Sequence, residues 1–273
     1  MTFEKQITNS DSDFNLIVKK SISLGYDLQQ YKTSFLKRRI EARMRSRGLN
    51  NYSQYSDLLD VEPSECQSLF GAISINVTEF FRNPDVFSVF STEIMPILLS
   101  KRSSCPTLRI WSAGCATGEE PYSLAILLHE KFTKNNLCDF RIYATDISLK
   151  AIESARSGKY TLHSLKNIPN DLLTKYFKHH ANGEYEVIQE IKNLVKFNVG
   201  KIETFPITHL DVIFCRNVLI YVEKHAQQAI FKKFHSSLKQ YGCLILGMDE
   251  SMRADQLALF ESMSIRQRIY EKK

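Results

Sequence analysis

The stretch Leu108–Ser123, LRIWSAGCATGEEPYS, constrains the fold of this chain more than any other. Its alternating apolar start, Leu108, Ile110 and Trp111, predicts a buried strand. Gly114-Cys115-Ala116-Thr117-Gly118 then predicts a turn of small residues, and the apolar period of Leu124, Leu127 and Leu128 a helix beyond it. Pro121 suits the first helical turn, where a missing N–H costs no intrahelical bond. Strand, small-residue turn and helix form the unit that grips nucleotide-type ligands at the carboxyl edge of a doubly wound sheet. Small residues there let backbone and ligand approach closely. The expected fold class is therefore α/β, with a doubly wound, Rossmann-like sheet.

The acids Glu119 and Glu120 choose among ligands. A phosphate group wants bare N–H groups at a helix start. Two carboxylates suit the helix dipole there but repel a phosphate. The dinucleotide fingerprint G-x-G-x-x-G and the P-loop Lys-Ser/Thr are both absent. A ligand with a cationic group and free hydroxyls fits better, and S-adenosylmethionine is such a ligand. Taken alone, these residues also suit a plain turn followed by a dipole-stabilising acidic pair.

A chain of 273 residues, 43% hydrophobic, can fill one large or two modest cores. Residues 13–75 predict an all-helical part, in which Leu36, Ile40 and Met44 form one apolar stripe. Arg39, Arg43 and Arg47 form a second stripe overlapping its edge, with stems on apolar surface and heads outward. Lys37, Arg38, Arg39, Arg43, Arg45 and Arg47 face only Glu41, so residues 37–47 carry +5 of a net +6. Such a patch predicts an acidic partner. The segment from Asn76 to Pro84 reads as a hinge and helix cap, so the domains expected are 1–78 and 79–273.

In the second domain, Phe140–Asp146 predicts a strand whose terminal carboxylate falls where doubly wound folds bind ribose hydroxyls. Asn182-Gly183 predicts a hairpin inside a small antiparallel insert at about 157–197, which takes in Val195-Lys196-Phe197. Asp211–Asn217 predicts a buried strand, residues 224–240 a helix stopped by Gly242, and 244–247 and 265–270 two further strands. The polar, acid-bearing start MTFEKQITNSDSDF is unlike a secretory leader, and no apolar run reaches a bilayer span. Six scattered cysteines without a CxxC pair indicate free thiols in a reducing, cytoplasmic setting. His179-His180 has no further ligand at metal-site spacing, so no metal is expected.

Four motifs in order are similar to those of the CheR-type chemoreceptor glutamate methyltransferases. They are N-x-T-x-F-F-R (Asn76 to Arg82), W-S-A-x-x-x-T-G-E-E-P-Y-S (Trp111 to Ser123), A-T-D (Ala144 to Asp146) and I-F-C-R-N-V-x-I-Y (Ile213 to Tyr221). The resemblance implies a methyltransferase sheet carrying an N-terminal helical, receptor-docking domain. It implies S-adenosylmethionine as methyl donor, S-adenosylhomocysteine as product and chemoreceptor glutamates as acceptors. By position, Asn76, Thr78, Arg82, Glu120, Asp146, Arg216 and Asn217 would line the cofactor site, with Arg82 and Tyr221 near the transferring methyl. Arg39, Arg43 and Arg47 would dock on the cytoplasmic helical region of a receptor, with the enzyme a monomer that neither binds nucleic acid nor enters the membrane.

The chain departs from the family where Lys201-Ile202 stands in place of an Asn-Leu pair, and where Gly247-Met248-Asp249-Glu250 replaces Gly-x-Ser-Glu. The insert between Phe177 and Phe197 is short, like that of members without a C-terminal pentapeptide tether. A nucleic-acid methyltransferase of the same fold, or a cofactor-binding regulator without catalysis, are the alternative readings.

Overall fold

The computed structural model describes residues 10–73, 78–101, 107–132 and 139–273. The chain divides into two units, Met1–Ile75 with Tyr221–Ala226, and Asn76–Ile220 with Gln227–Lys273.

In the first unit, helices α1 (Asp11–Ser23), α2 (Thr33–Ser46), α3 (Tyr52–Val61) and α4 (Ser64–Ile73) close over one apolar core. Ser10 and Asn51 cap α1 and α3, each side-chain oxygen accepting an N–H three residues on, from Asp13 and Gln54. The expected stripe Leu36, Ile40 and Met44 is fully buried. The arginine stripe is not uniformly outward. Arg43 donates two bonds to Glu65, at 2.6 and 2.7 Å, and the Glu65 side chain has no exposed surface. Tyr55 donates a third at 2.8 Å. Arg47 pairs with Glu62, and its Nε lies 3.8 Å from Glu65. A buried carboxylate must be paired and hydrogen-bonded, and this need turns Arg43 inward. Arg39 lies over the Phe35 ring, 5.6 Å from its centre, while Arg38 and Arg45 are exposed. Residues 221–223 join this unit. The Lys32 N–H donates to the Tyr221 carbonyl at 2.9 Å, and the Tyr221 and Phe35 rings lie 4.8 Å apart.

The second unit contains α5 (Pro84–Val89), a π turn (Phe90–Ile94), α6 (Met95–Ser100), α7 (Glu119–Phe132), α8 (Leu149–Ser157), α9 (Asn170–Tyr176) and α10 (Gln189–Lys192). Helix α11 (Lys224–Ser237) and the short α12 (Ala254–Leu257) follow. Its strands are β1 (Leu108–Ala113), β2 (Phe140–Asp146), β3 (Lys159–Tyr160), β4 (Phe177–His179), β5 (Tyr185–Val187), β6 (Val195–Val199), β7 (Leu210–Cys215), β8 (Leu238–Leu246), β9 (Phe260–Ser264) and β10 (Ile269–Lys272).

Seven strands form one sheet in the order β6-β2-β1-β7-β8-β10-β9. The first five are parallel, and β10 and β9 are added antiparallel. Ile110, Ile142, Val212 and Phe214 face one layer of core with Phe87, Phe90 and Leu124. The alternate position Trp111 faces the other, edge-on to Phe234 of α11. Chain order moves from β1 outward to β2 and β6, then returns to β7 on the other side of β1. That reversal creates the crevice at the strands' carboxyl ends where open α/β sheets bind ligands.

The hairpin at Asn182-Gly183 is present, and β3, β5 and β4 form a separate antiparallel sheet. Three expectations change. Val195–Val199 belongs to the main sheet, parallel to β2, because Val195 and Phe197 alternate into the core. The last expected strand is a hairpin, β9 and β10, turning through residues 265–268. Gly242 does not stop a helix. It lies inside β8, where a Cβ would come within 3.0 Å of the Lys239 carbonyl. Cys66, Cys115, Cys215 and Cys243 are buried free thiols, and Cys105 and Cys138 lie outside the described residues.

Burial raises the Glu65 carboxyl, but the hydrogen bonds from Arg43 and Tyr55 outweigh it and hold it below the ordinary 4.5. A carboxyl depressed by folding contributes stability above its unfolded pKa and loses it as pH falls through the folded one. Glu65→Gln should therefore cost about 1–3 kcal/mol at neutral pH. It should also flatten the acid limb below the usual carboxylate range, both read by denaturant melts across pH.

Candidate active site

The turn after β1 is held by the end of β2. The N–H groups of Gly114 and Cys115 donate to the Thr145 carbonyl at 2.8 and 2.9 Å. The Ala116 N–H donates to Asp146 Oδ2 and the Ser148 N–H to Oδ1, each at 2.9 Å. A carboxylate offers about four acceptor positions, so Asp146 keeps acceptor capacity on both oxygens. Burial pushes its carboxyl up, and backbone N–H donors, Ser148 and Ala116 foremost, oppose that. Gly114 (φ +80°) and Gly118 (φ +96°) occupy backbone open to glycine. A Cβ on Gly114 would sit 2.4 Å from Val218 Cγ2, and one on Gly118 2.8 Å from Ala155 Cβ. Both glycines are thus required by packing within the protein itself.

The acidic pair separates. Glu119 is buried and accepts from the Thr117 hydroxyl at 2.7 Å. Glu120 accepts from Ser112 at 2.8 Å and faces Arg216 Nη1 at 3.4 Å. Burial raises the Glu120 carboxyl, while the charges of Arg216 and Arg82 pull it down.

Arg216 follows β7, and its side chain is 2% exposed. Its Nη2 donates to the Arg82 carbonyl at 2.8 Å and to Asn83 Oδ1 at 2.7 Å, and the guanidinium lies over Phe87. Its Nε is buried with no hydrogen-bond partner among the described residues. The segment it holds is unusual. Phe81 (φ +48°) and Asn83 (φ +57°) are non-glycine residues in the left-handed region, a conformation costing on the order of 1–3 kcal/mol each. Further ties hold it there. The Phe80 N–H donates to the Ser164 carbonyl, and the Phe81 N–H to Ser123 Oγ. The Phe80 ring meets Tyr160 and Phe177 edge-on.

Arg82, Glu120, Asp146, Arg216 and Asn217 therefore share the carboxyl edge of the sheet. Asn217 (φ +61°) donates its N–H to Glu250. Thr78 is half-buried, just ahead of Phe80, and Asn76 lies outside the described residues. Tyr221, Arg39, Arg43 and Arg47 belong to the helical unit. The Gly200 N–H bonds the Asp146 carbonyl at 2.9 Å, which brings the chain just before Lys201 beside the end of β2. Asn83, Ser123 and Glu250 were not among the predicted site residues, since they bond partners 31 to 133 residues away along the chain. Asn83 had a local signal, the Asn83-Pro84 turn, and Glu250 stands in the Gly247–Glu250 motif, but neither signal names the distant partner.

The CheR methyltransferase S-adenosylmethionine-binding domain matches residues 76–269, and the CheR methyltransferase all-alpha domain residues 22–74. The chain belongs to the CheR methyltransferase family. It is 33% identical to the chemotaxis protein methyltransferase of Borreliella burgdorferi, over 86% of each protein. It is 33% identical to that of Escherichia coli over 83% of this chain and 79% of that one. To chemotaxis protein methyltransferase 2 of Vibrio cholerae it is 32% identical, over 84% of this chain and 81% of that one.

The cofactor of this CheR-family chain is S-adenosylmethionine. The donor set fits it. Two acids answer a cation and hydroxyls, and the orphaned Arg216 Nε answers a carboxylate.

Gly114→Ala should lose about 1–3 kcal/mol of stability, from overpacking and a strained φ. Gly114→Ala with Val218→Ala should recover part of the loss, since the clash goes and the strain stays. Denaturant melts of both variants check this.

Proposed function

We propose that this chain transfers the methyl of S-adenosylmethionine to glutamate side-chain carboxylates of chemoreceptors in sensory adaptation, giving methyl esters and S-adenosylhomocysteine. The observation that carries the reading is the Arg216 strap, which joins the Arg82 segment to Glu120 beside the turn held by Asp146. The names of the relatives support the chemotaxis setting. A cytoplasmic location agrees with the absence, among the described residues, of any helix long and apolar enough to cross a membrane.

A glutamate carboxyl, with pKa about 4.3, is ionised at neutral pH and needs no general base. When bound, the cofactor would supply a sulfonium methyl, which the acceptor oxygen would take as the carbon–sulfur bond breaks and its electrons stay on a neutral thioether. The protein's tasks are alignment and exclusion of water. Asp146 would accept from ribose hydroxyls, Glu120 would answer the cationic part, and Arg216 Nε would take the methionyl carboxylate. Thr78 and Asn217 would complete the lining, and Arg82 would steer the anionic acceptor.

Receptor docking through Arg39, Arg43 and Arg47 enters the proposal with a division of labour, because the Arg43 charge is already committed to Glu65. Arg39→Glu with Arg47→Glu should slow receptor methylation most at low salt, while leaving cofactor affinity unchanged. Arg43→Glu should instead destabilise the helical unit, through two like charges at a buried site. Unaltered low-salt methylation rates in the double variant would remove the docking role.

The deciding assay follows radiolabelled methyl transfer onto receptor-bearing membranes, with release of the label by mild base as the mark of an ester and RNA as the competing acceptor. Label on RNA favours the nucleic-acid reading, and cofactor binding without transfer favours the regulator. Asp146→Ala should weaken cofactor binding by about 1–3 kcal/mol in calorimetry. Arg82→Ala should lower single-turnover rates by about 10²–10³ at saturating cofactor. Arg82→Lys should recover only part, because a point charge replaces a planar fork. Tyr221→Phe, read in the same assay, tests a role for that hydroxyl.

A further inference from the structure

Glu250 is a buried acid that the chemistry above does not use. It is 4% exposed, in the loop after β8, and its carboxylate accepts four backbone N–H groups. Oε2 takes those of Gly247 at 2.6 Å and Asn217 at 3.0 Å, and Oε1 those of Val218 at 2.8 Å and Leu219 at 2.7 Å. A carboxylate has about four acceptor positions, so the four bonds saturate this one. It is therefore a fixed anchor rather than a group waiting for a ligand.

Three of the four donors are consecutive residues directly after Arg216. Three successive N–H groups can converge on one carboxylate only if the backbone turns sharply, and Asn217 does so with φ +61°. Gly247 has to be glycine for the same geometry. A Cβ there would sit 2.7 Å from the Asn217 nitrogen and 2.8 Å from Glu250 Oε2. The anchored residues touch both sides of the cofactor crevice. Val218 lies against Gly114 of the turn after β1. Arg216, one residue before the anchor, holds the Arg82 carbonyl, Asn83 and Glu120.

We propose that Glu250 is a positioning residue for methyl transfer. By clamping residues 217–219 it sets the Arg216 strap and the wall over Gly114, and so tunes cofactor affinity without touching the cofactor. This rests on the reading that the Arg216 loop lines the S-adenosylmethionine site.

Glu250→Gln is the central variant, since an amide offers one acceptor oxygen and turns its own donors on the remaining N–H groups. Asp211→Asn is the control. Asp211 is an equally buried acid at the opposite end of β7, bonded to the Arg109 N–H and to Lys239. Calorimetry with S-adenosylhomocysteine and steady-state methylation are read beside melts of each variant.

The expected result is a dissociation constant and cofactor KM raised about 10–10²-fold in Glu250→Gln, the scale of leaving buried polar partners unmade. The receptor KM should stay unchanged. Glu250→Asp, which keeps two oxygens on a shorter arm, should fall between Gln and wild type. Asp211→Asn should lose stability but keep wild-type cofactor KM.

Equal cofactor loss in Asp211→Asn and Glu250→Gln overturns the proposal, as does wild-type affinity in a folded Glu250→Gln. If Gln does not fold, wild-type affinity in Glu250→Asp overturns it, and failure of both to fold assigns the carboxylate to folding alone, which also overturns it. Wild-type protein that binds no S-adenosylhomocysteine would instead sink the reading of the site itself.

Discussion

A guanidinium taken almost wholly out of water organises the second unit. Desolvating a charge is tolerated only where opposite charge and hydrogen bonds surround it, and Arg216 obtains them from two separate places. Glu120 comes from the start of α7, and the Arg82 carbonyl and Asn83 from the segment ahead of α5. The left-handed Phe81 and Asn83 are conformations the chain would not hold by itself. Arg216, Ser123 and Ser164 bond that segment on several sides and offset the strain. Asp146 plays the matching part across the glycine turn, tying β2 to the backbone of Ala116. One cation and one anion thus brace the two sides of the crevice.

The helical unit solves the inverse problem. There the buried charge is a carboxylate, Glu65, and the arginines of α2 answer it. The +5 carried by residues 37–47 therefore overstates the charge α2 presents outward. Arg43 is committed inside, Arg47 is shared with Glu62, and Arg38 and Arg45 remain at the surface. Charge counted along a sequence and charge presented to a partner differ wherever a buried acid recruits its own counter-ion.

Most of the sheet was legible because β1, β2 and β7 are short apolar runs ended by small or polar residues, a pattern with one structural meaning. Asp146 was legible for the same reason, as an acid at the end of such a run. The misses lie where local pattern is ambiguous. Val195-Lys196-Phe197 alternates like a strand of either sheet, and only its pairing partner, β2, decides between them. Gly242 looks like a helix stop until the neighbouring Asp211 and Lys239 carbonyls show why no side chain fits there. The outward arginine stripe fails at Arg43 because Glu65 lies on another helix, where α2's periodicity does not register it.

By itself, the sequence determined the fold class, the strands that carry the site, the acidic pair that follows the glycine turn and the resemblance to the CheR family. These follow from local periodicity and from motifs contiguous in the chain. Tertiary structure alone decided which glutamate of the pair meets Arg216, which arginine is spent on Glu65, and that Glu250 anchors the loop after β7. Each of those is a choice of hydrogen-bond partner for a buried charge. Residues far apart in sequence compete for that choice, and only packing determines which of them is close enough to satisfy it.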